Sequence, residues 1–204
     1  MTVRYHRGDL PADYSPGPAI AVDTETLGLN PLRDRLCVVQ ISTGDGTADV
    51  VQVGRDGPPP PNLARVMADR QTLKIFHFAR FDLAVLLHRL GAMPDPIYCT
   101  KIASKLVRTY TDRHGLKDLT RELIGVDLSK AQQSSDWAAD ELSQAQLDYA
   151  ASDVLHLHAL KERLDRMLAR EGRTELAENC FAFLPTRARL DLLGWAETDI
   201  FAHS

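Results

Sequence analysis

Asp23 and Glu25 stand two residues apart in Ala19-Ile20-Ala21-Val22-Asp23-Thr24-Glu25-Thr26, directly after an apolar run. Asp82 closes the segment His77-Phe78-Ala79-Arg80-Phe81-Asp82, and Tyr149 precedes Asp153 by four residues in Tyr149-Ala150-Ala151-Ser152-Asp153. Carboxylates are hard oxygen ligands that select Mg²⁺ or Mn²⁺ over thiophilic metals. Four of them on three segments suit the holding of two divalent ions at a phosphodiester. One ion would activate water and the other would stabilise the leaving oxygen.

Each residue also has an ordinary explanation. Strand ends often expose acids, Asp82 suits the first turn of a helix dipole, Tyr149 has Leu147, Leu155 and Leu157 nearby, and Asp153 reads as a solvated helix acid. Their joint occurrence favours chemistry. Residues i and i+2 of a strand share a face, so Asp23 and Glu25 place two like charges together, which is costly unless neutralised. Residues i and i+4 share a helix face, which pairs Tyr149 with Asp153. His156 and His158 are two apart, share no helix face, and are assigned no metal role.

These residues need a scaffold. A buried strand ends at Val22, and further strands are expected over 36–42, 48–53, 73–76 and 97–99. The first three join as an antiparallel meander, because their connections are short. Pro58-Pro59-Pro60-Pro61 is a stiff connector that cannot enter a sheet interior. Asn62 is a candidate cap for a short helix reaching Asp69. A helix over 81–90 carries Phe81, Val85, Leu86 and Leu90 on one stripe and stops at Gly91. Helices follow over 101–109, 116–123, a long one over 143–170, and a last one over 176–183 that Pro185 ends.

The chain has 204 residues, enough for one domain with a core. No apolar run approaches the roughly 18 residues that would cross a bilayer, so no membrane role is expected. Residues 1–7 lack the apolar stretch of a signal peptide. Cys37, Cys99 and Cys180 are odd in number and widely spaced, which suggests reduced thiols in a cytoplasm. The net charge is −4, yet setting aside the four acids leaves 24 acids against 24 Lys plus Arg. That balance argues against tracking along a duplex through many phosphates and allows a short substrate. The chain has no glycine-rich dinucleotide fingerprint and no P-loop, which excludes dinucleotide oxidoreductases and NTPases.

The acid-bearing segments resemble the three motifs of the DEDD family of 3′→5′ exonucleases. Ser135-Asp136-Trp137 and Leu147-Asp148-Tyr149-Ala150-Ala151-Ser152-Asp153-Val154 are similar to the signature of its RNase D superfamily. The histidine branch of the family has a His five residues before the last Asp. This chain has Asp148 there, so it resembles the tyrosine branch. Arg4-Tyr5-His6-Arg7-Gly8-Asp9-Leu10-Pro11 and Gly44-Asp45-Gly46-Thr47-Ala48-Asp49 bring it nearest the nano-RNase C oligoribonucleases. One departure is Ala139-Asp140-Glu141-Leu142, where RNase D-like proteins usually carry Arg-Pro-Leu.

The resemblance implies an α/β fold of the ribonuclease H-like, DnaQ-like exonuclease type, with a mixed five-stranded sheet flanked by helices. One exonuclease domain over 1–204 is expected, with a catalytic core over about 19–170 and a helical tail over about 171–204. By resemblance, two Mg²⁺ or Mn²⁺ ions are held by Asp23, Glu25, Asp82 and Asp153. Asp23 would bridge them, Glu25 and Asp153 would complete the water side, and Asp82 would serve the second ion. Tyr149 would orient or help deprotonate the attacking water.

The backbone at Thr26 is expected to meet the 3′ hydroxyl, and Leu27 to wedge between the last two bases. His77 and Trp137 are candidates for phosphate or base contact. Their alternatives are a satisfied core histidine and a packed indole. Lys117, in Gly115-Leu116-Lys117-Asp118-Leu119, is a candidate phosphate contact, with a solvated lysine as its ordinary reading.

The implied substrate is short single-stranded RNA, diribonucleotides above all, cut to 5′-nucleoside monophosphates. RNase D continues into helical RNA-binding domains that this chain is expected to lack. One alternative is a broader exonuclease trimming structured RNA ends or single-stranded DNA. Another is a silent RNA-binding module, against which the retention of all four carboxylates and Tyr149 weighs. The resemblance also implies a homo-oligomer, a ring-shaped octamer. The apolar segments Phe181-Ala182-Phe183-Leu184 and Leu190-Asp191-Leu192-Leu193-Gly194-Trp195 are its plausible interface, or pack on their own domain.

Overall fold

The structure, a computed structural model, describes residues 2–129, 131–132 and 134–203. Six strands form one mixed sheet: β1 (Thr2–Arg7), β2 (Ala19–Thr26), β3 (Leu36–Ser42), β4 (Thr47–Gln52), β5 (Leu73–Phe76) and β6 (Ile97–Cys99). Their spatial order is β1-β4-β3-β2-β5-β6. β2, β3 and β4 form the expected antiparallel meander, and β5 and β6 extend it in parallel from β2. β3 is buried along its whole length, as a near-continuous apolar run requires.

The five expected strands are present, and β1 is a sixth, paired in parallel with β4. Hydropathy does not flag Thr2-Val3-Arg4-Tyr5-His6-Arg7, since it is an edge strand with much of its surface in solvent. Side-chain hydrogen bonds hold it instead. Arg4 donates to both carboxylate oxygens of Asp49 at 2.8 Å, His6 Nε2 meets the same group at 2.7 Å, and Tyr14 donates to it at 3.2 Å. Burial pushes the Asp49 carboxyl up, but hydrogen bonds from Arg4 and His6 outweigh this and hold it below the usual range.

Helices cover both faces: α1 (Pro61–Ala68), α2 (Ala79–Leu90), α3 (Thr100–Val107), α4 (Leu116–Leu119), α5 (Gln144–Leu155), α6 (Leu157–Arg170) and α7 (Thr174–Leu190). π-Helical turns follow α4 (Thr120–Ile124) and α7 (Asp191–Trp195). α5 lies across β2, β3 and β4 over a small core that includes Cys37, Val50, Leu147 and Ala150. α2 stops at Gly91, as expected, with the left-handed conformation of a C-cap. Among the described residues no helix is long and apolar enough to cross a membrane.

Three local expectations change. Asn62 does not cap α1. The carboxylate of Asp9 accepts from the Asn62 and Leu63 amides at 2.9 and 2.8 Å, so the cap comes from a distant part of the chain. The long helix is broken at His156 into α5 and α6. Beyond the break the His158 ring packs on Gly44, where φ is +84° and a Cβ would come within 3.0 Å of it. Pro185 lies inside α7, because Phe181, Leu184 and Ala188 keep that helix buried on one side.

The tail docks on its own domain. Arg80 donates to Asp191 at 2.6 and 2.9 Å, and Arg187 donates to the same carboxylate at 2.9 Å. Leu193, Trp195, Ile200 and Phe201 still stand exposed.

Asp49→Ala should leave Arg4, His6 and Tyr14 without their shared acceptor, at a cost of about 1–3 kcal/mol. Hydrogen exchange should show the β1 amides losing protection while β2 and β3 keep theirs. Unchanged protection in β1 would mean that the ladder alone holds it.

Candidate active site

β2 presents its acids on alternate residues, and neighbours on both sides fix where they point. Asp23 pairs across the ladder with Gln40, whose Nε2 donates to Asp23 Oδ2 at 3.4 Å. Thr24 points the other way, is buried, and donates its hydroxyl to Asp82 Oδ1 at 2.7 Å. That bond ties the first turn of α2 to the strand. The register of β2 on β3 shifts between Glu25 and Thr26, and bulges of this kind re-aim side chains near sites.

Asp153 comes from α5. Ser143 and Gln146 close a capping box at that helix's start, which fixes its entry. One carboxylate oxygen each from Asp23, Glu25 and Asp153 lie within 4.8 Å of one another. They floor a cleft of about 350 Å³ whose walls include His77, Phe78, Lys101, Lys117 and Tyr149. Asp82, 3% exposed, is outside both this cluster and the cleft lining.

Burial and mutual repulsion raise the acids together. Asp23 is pushed well above the usual carboxylate range by burial, then by Asp82, Asp153 and Glu25. Burial, with Asp153 and Asp82, pushes Glu25 up to about 9. Burial lifts Asp82 and Asp153 each to about 7. Burial and the neighbouring acids also raise the Tyr149 phenol. Burial and the Lys101 charge lower His77 to about 3, so the ring is neutral. Clustered oxygen donors whose ionised forms repel one another and lack a counter-charge fit a hard divalent cation.

Of the sequence-expected residues, Asp23, Glu25, Asp153, Tyr149, His77 and Lys117 share the cleft. His77 Nδ1 is also paired with Thr100 Oγ1 at 2.9 Å. Thr26 donates its hydroxyl to Gly28 O at 2.5 Å and shapes the loop. Leu27 is 54% exposed and lines a separate hollow with Arg7, Arg35 and Arg55. Trp137 corrects the expectation of substrate contact. It is 3% exposed and packs on Tyr149 with ring centroids 6.0 Å apart, so it backs the tyrosine and offers no face to a base.

Gln40, Phe78 and Lys101 are additions. Gln40 carried a signal, being a polar residue amid an apolar strand. Lys101 and Phe78 carried none that distinguishes them from surface residues.

Raised carboxylate values mean that the folded chain binds protons more tightly than the unfolded one, so without metal its stability falls as pH rises from about 5 to 9. Bound cations should reverse this. In EDTA the Tm should drop across that window, and Mg²⁺ or Mn²⁺ should raise it more at pH 8 than at pH 5. A metal increment independent of pH would show that these acids do not take the ion.

Residues 9–169 match the 3′-5′ exonuclease family. A ribonuclease D of Granulibacter bethesdensis is 39% identical over 159 residues, 76% of this chain and 39% of that protein, so the chain spans about two-fifths of that relative's length. An NrnC of Brucella melitensis, solved with bound Mg²⁺, is 65% identical over all of both chains, with a TM-score of 0.96. The same protein has been solved bound to pGG, at 66% identity and TM-score 0.96. RNase D of Escherichia coli superposes with TM-score 0.73 at 26% identity over 84% of this chain and 45% of its own. The chain belongs to the 3′-5′ exonuclease family, in the RNase D superfamily.

Proposed function

We propose that the protein is a metal-dependent 3′→5′ exoribonuclease that finishes short RNA oligonucleotides, diribonucleotides above all, to 5′-nucleoside monophosphates. The observation that carries this reading is the cluster of Asp23, Glu25 and Asp153 on the floor of a cleft of about 350 Å³. That volume lies at the small-ligand end of binding sites, the scale of the one nucleotide whose phosphate meets the acids. The pGG bound to the Brucella protein supports the same substrate class here.

Two divalent ions at Asp23, Glu25, Asp153 and Asp82 would supply charge neutralisation at the phosphate and activation of water. The chain's own groups do the rest. Tyr149 stands beside Asp153, and its raised phenol keeps a proton with which to orient the attacking water. Trp137 packs behind it and restricts the ring. Lys101 and Lys117 flank the cleft and balance the phosphate's charge. Water gives up a proton and bonds to phosphorus, the bond to the 3′ oxygen of the preceding nucleotide breaks, that oxygen takes up a proton, and the 5′-monophosphate departs.

A broader trimming activity is the second reading. It is favoured by the likeness to E. coli RNase D, an exoribonuclease involved in structured RNA processing. A cytoplasmic setting fits the free thiols of Cys37, Cys99 and Cys180. We also propose a homo-oligomer, an octamer on the family resemblance. Leu193 at 70% and Phe201 at 76% exposure, on a segment already latched to its domain, are apolar surface suited to a second copy.

A timed digest of labelled RNA dimer, heptamer and structured RNA at equal molarity tests the substrate. Rapid Mg²⁺-dependent cleavage of the dimer is expected, abolished in Asp153→Ala and slowed roughly 10²-fold or more in Tyr149→Phe with metal binding intact. Faster cleavage of longer RNA would move the protein to general trimming. Removing residues 190–204 should lower the mass seen by light scattering, whereas an unchanged mass would count against the tail as interface.

A further inference from the structure

Phe78 is, among the described residues, the one non-glycine at positive φ, with φ 68° and ψ 44°. In that region an L side chain crowds its own backbone, so such positions usually fall to glycine, or to asparagine or aspartate. Strain of this kind persists where the surroundings impose it, and it concentrates at functional sites. Here the chain path imposes it. β5 ends at Phe76, and α2, which carries Asp82, begins at Ala79.

The ring serves the core little, being 46% exposed. It stands where three hollows meet. One is the carboxylate cleft, the second is lined by Cys180 and Phe183, and the third by Leu29 and Leu32. The Lys101 ammonium lies 4.2 Å from the ring centroid. A cation over one face holds the ring in place, and its remaining surface faces solvent beside the acids.

We propose that Phe78 is a platform on which the base of the 3′-terminal nucleotide stacks, with Lys101 fixing the ring and facing the phosphate. The inference rests on the exonuclease reading above. In a 3′→5′ exonuclease the phosphate at the acids belongs to the 3′-terminal nucleotide, so its base lies within reach of the cleft wall. Every base has a π-face, so an aromatic platform selects for the presence of a base and not for its identity. Little sequence preference at the 3′ end follows.

The test is steady-state kinetics of the full chain in Mg²⁺ on a diribonucleotide and on dimers made abasic at the 3′ or the 5′ position. Phe78→Ala should raise KM for the intact dimer by about five- to a hundredfold, the range of one base–aromatic stack, with kcat changed less. KM for the 3′-abasic dimer should stay within about twofold, because the stacking partner is already gone. Phe78→Trp should retain wild-type KM. Phe78→Gly, which relieves the backbone, should lose the same affinity yet keep Tm within about 3 °C.

An unchanged KM in Phe78→Ala overturns the platform. So does an equal KM rise on intact and 3′-abasic dimers, or an effect that vanishes only when the 5′ base is removed. If the wild-type chain cleaves none of these dimers, the diribonucleotide reading falls and this inference with it. If the wild-type chain cleaves them and Phe78→Ala matches it, the inference alone falls.

Discussion

Repulsion among buried carboxylates is the constraint on which the rest of this molecule turns. A like-charge pair at 4–5 Å in an effective dielectric near 20 costs about 3–4 kcal/mol. Asp23, Glu25 and Asp153 lie within 4.8 Å of one another, so three such pairs form if all are ionised. Together they cost roughly 10 kcal/mol, comparable to the whole stability of a domain at about 5–15 kcal/mol. The acids therefore hold protons or gather cations. The raised carboxyls of Glu25, Asp82 and Asp153 are the first response. An all-oxygen donor set suited to a hard divalent ion is the second.

Such a cluster needs walls that do not yield. β2 is laddered to β3 through Asp23 and Glu25 and to β5 through Ala19–Ala21, which keeps the two acids on one strand of the sheet interior. Thr24 fastens the start of α2 from the other side of the strand. The capping box at Ser143 and the Trp137 ring behind Tyr149 fix α5. The two sides are therefore anchored to the sheet independently, and the acids meet because both anchors hold.

The start of α2 concentrates several duties in a few residues. Asp82 accepts from Thr24 of β2, Arg80 grips Asp191 of the tail, and Phe78 turns the chain through a strained conformation. The latch to the tail is a fork of hydrogen bonds at 2.6 and 2.9 Å on a carboxylate that Arg187 also holds.

The sequence by itself determined the acids, their pairing on one strand and one helix, the antiparallel meander and the stop at Gly91. Each is local: side-chain alternation on a strand, i to i+4 on a helix, and a left-handed cap are properties of neighbouring residues. Residues distant in the chain decided the rest. β1 is held by Asp49, 45 residues from Arg4, and the cap of α1 comes from Asp9. Pro185 stays helical because buried neighbours outweigh its missing amide. Trp137 backs Tyr149, where its residue type alone allowed either packing or base contact. Phe78 took on meaning only when its backbone angle, its exposure and the ammonium over its ring stood together. Residue type and spacing specify which groups are available, but burial, strain and partners arise from segments that meet only in the folded chain.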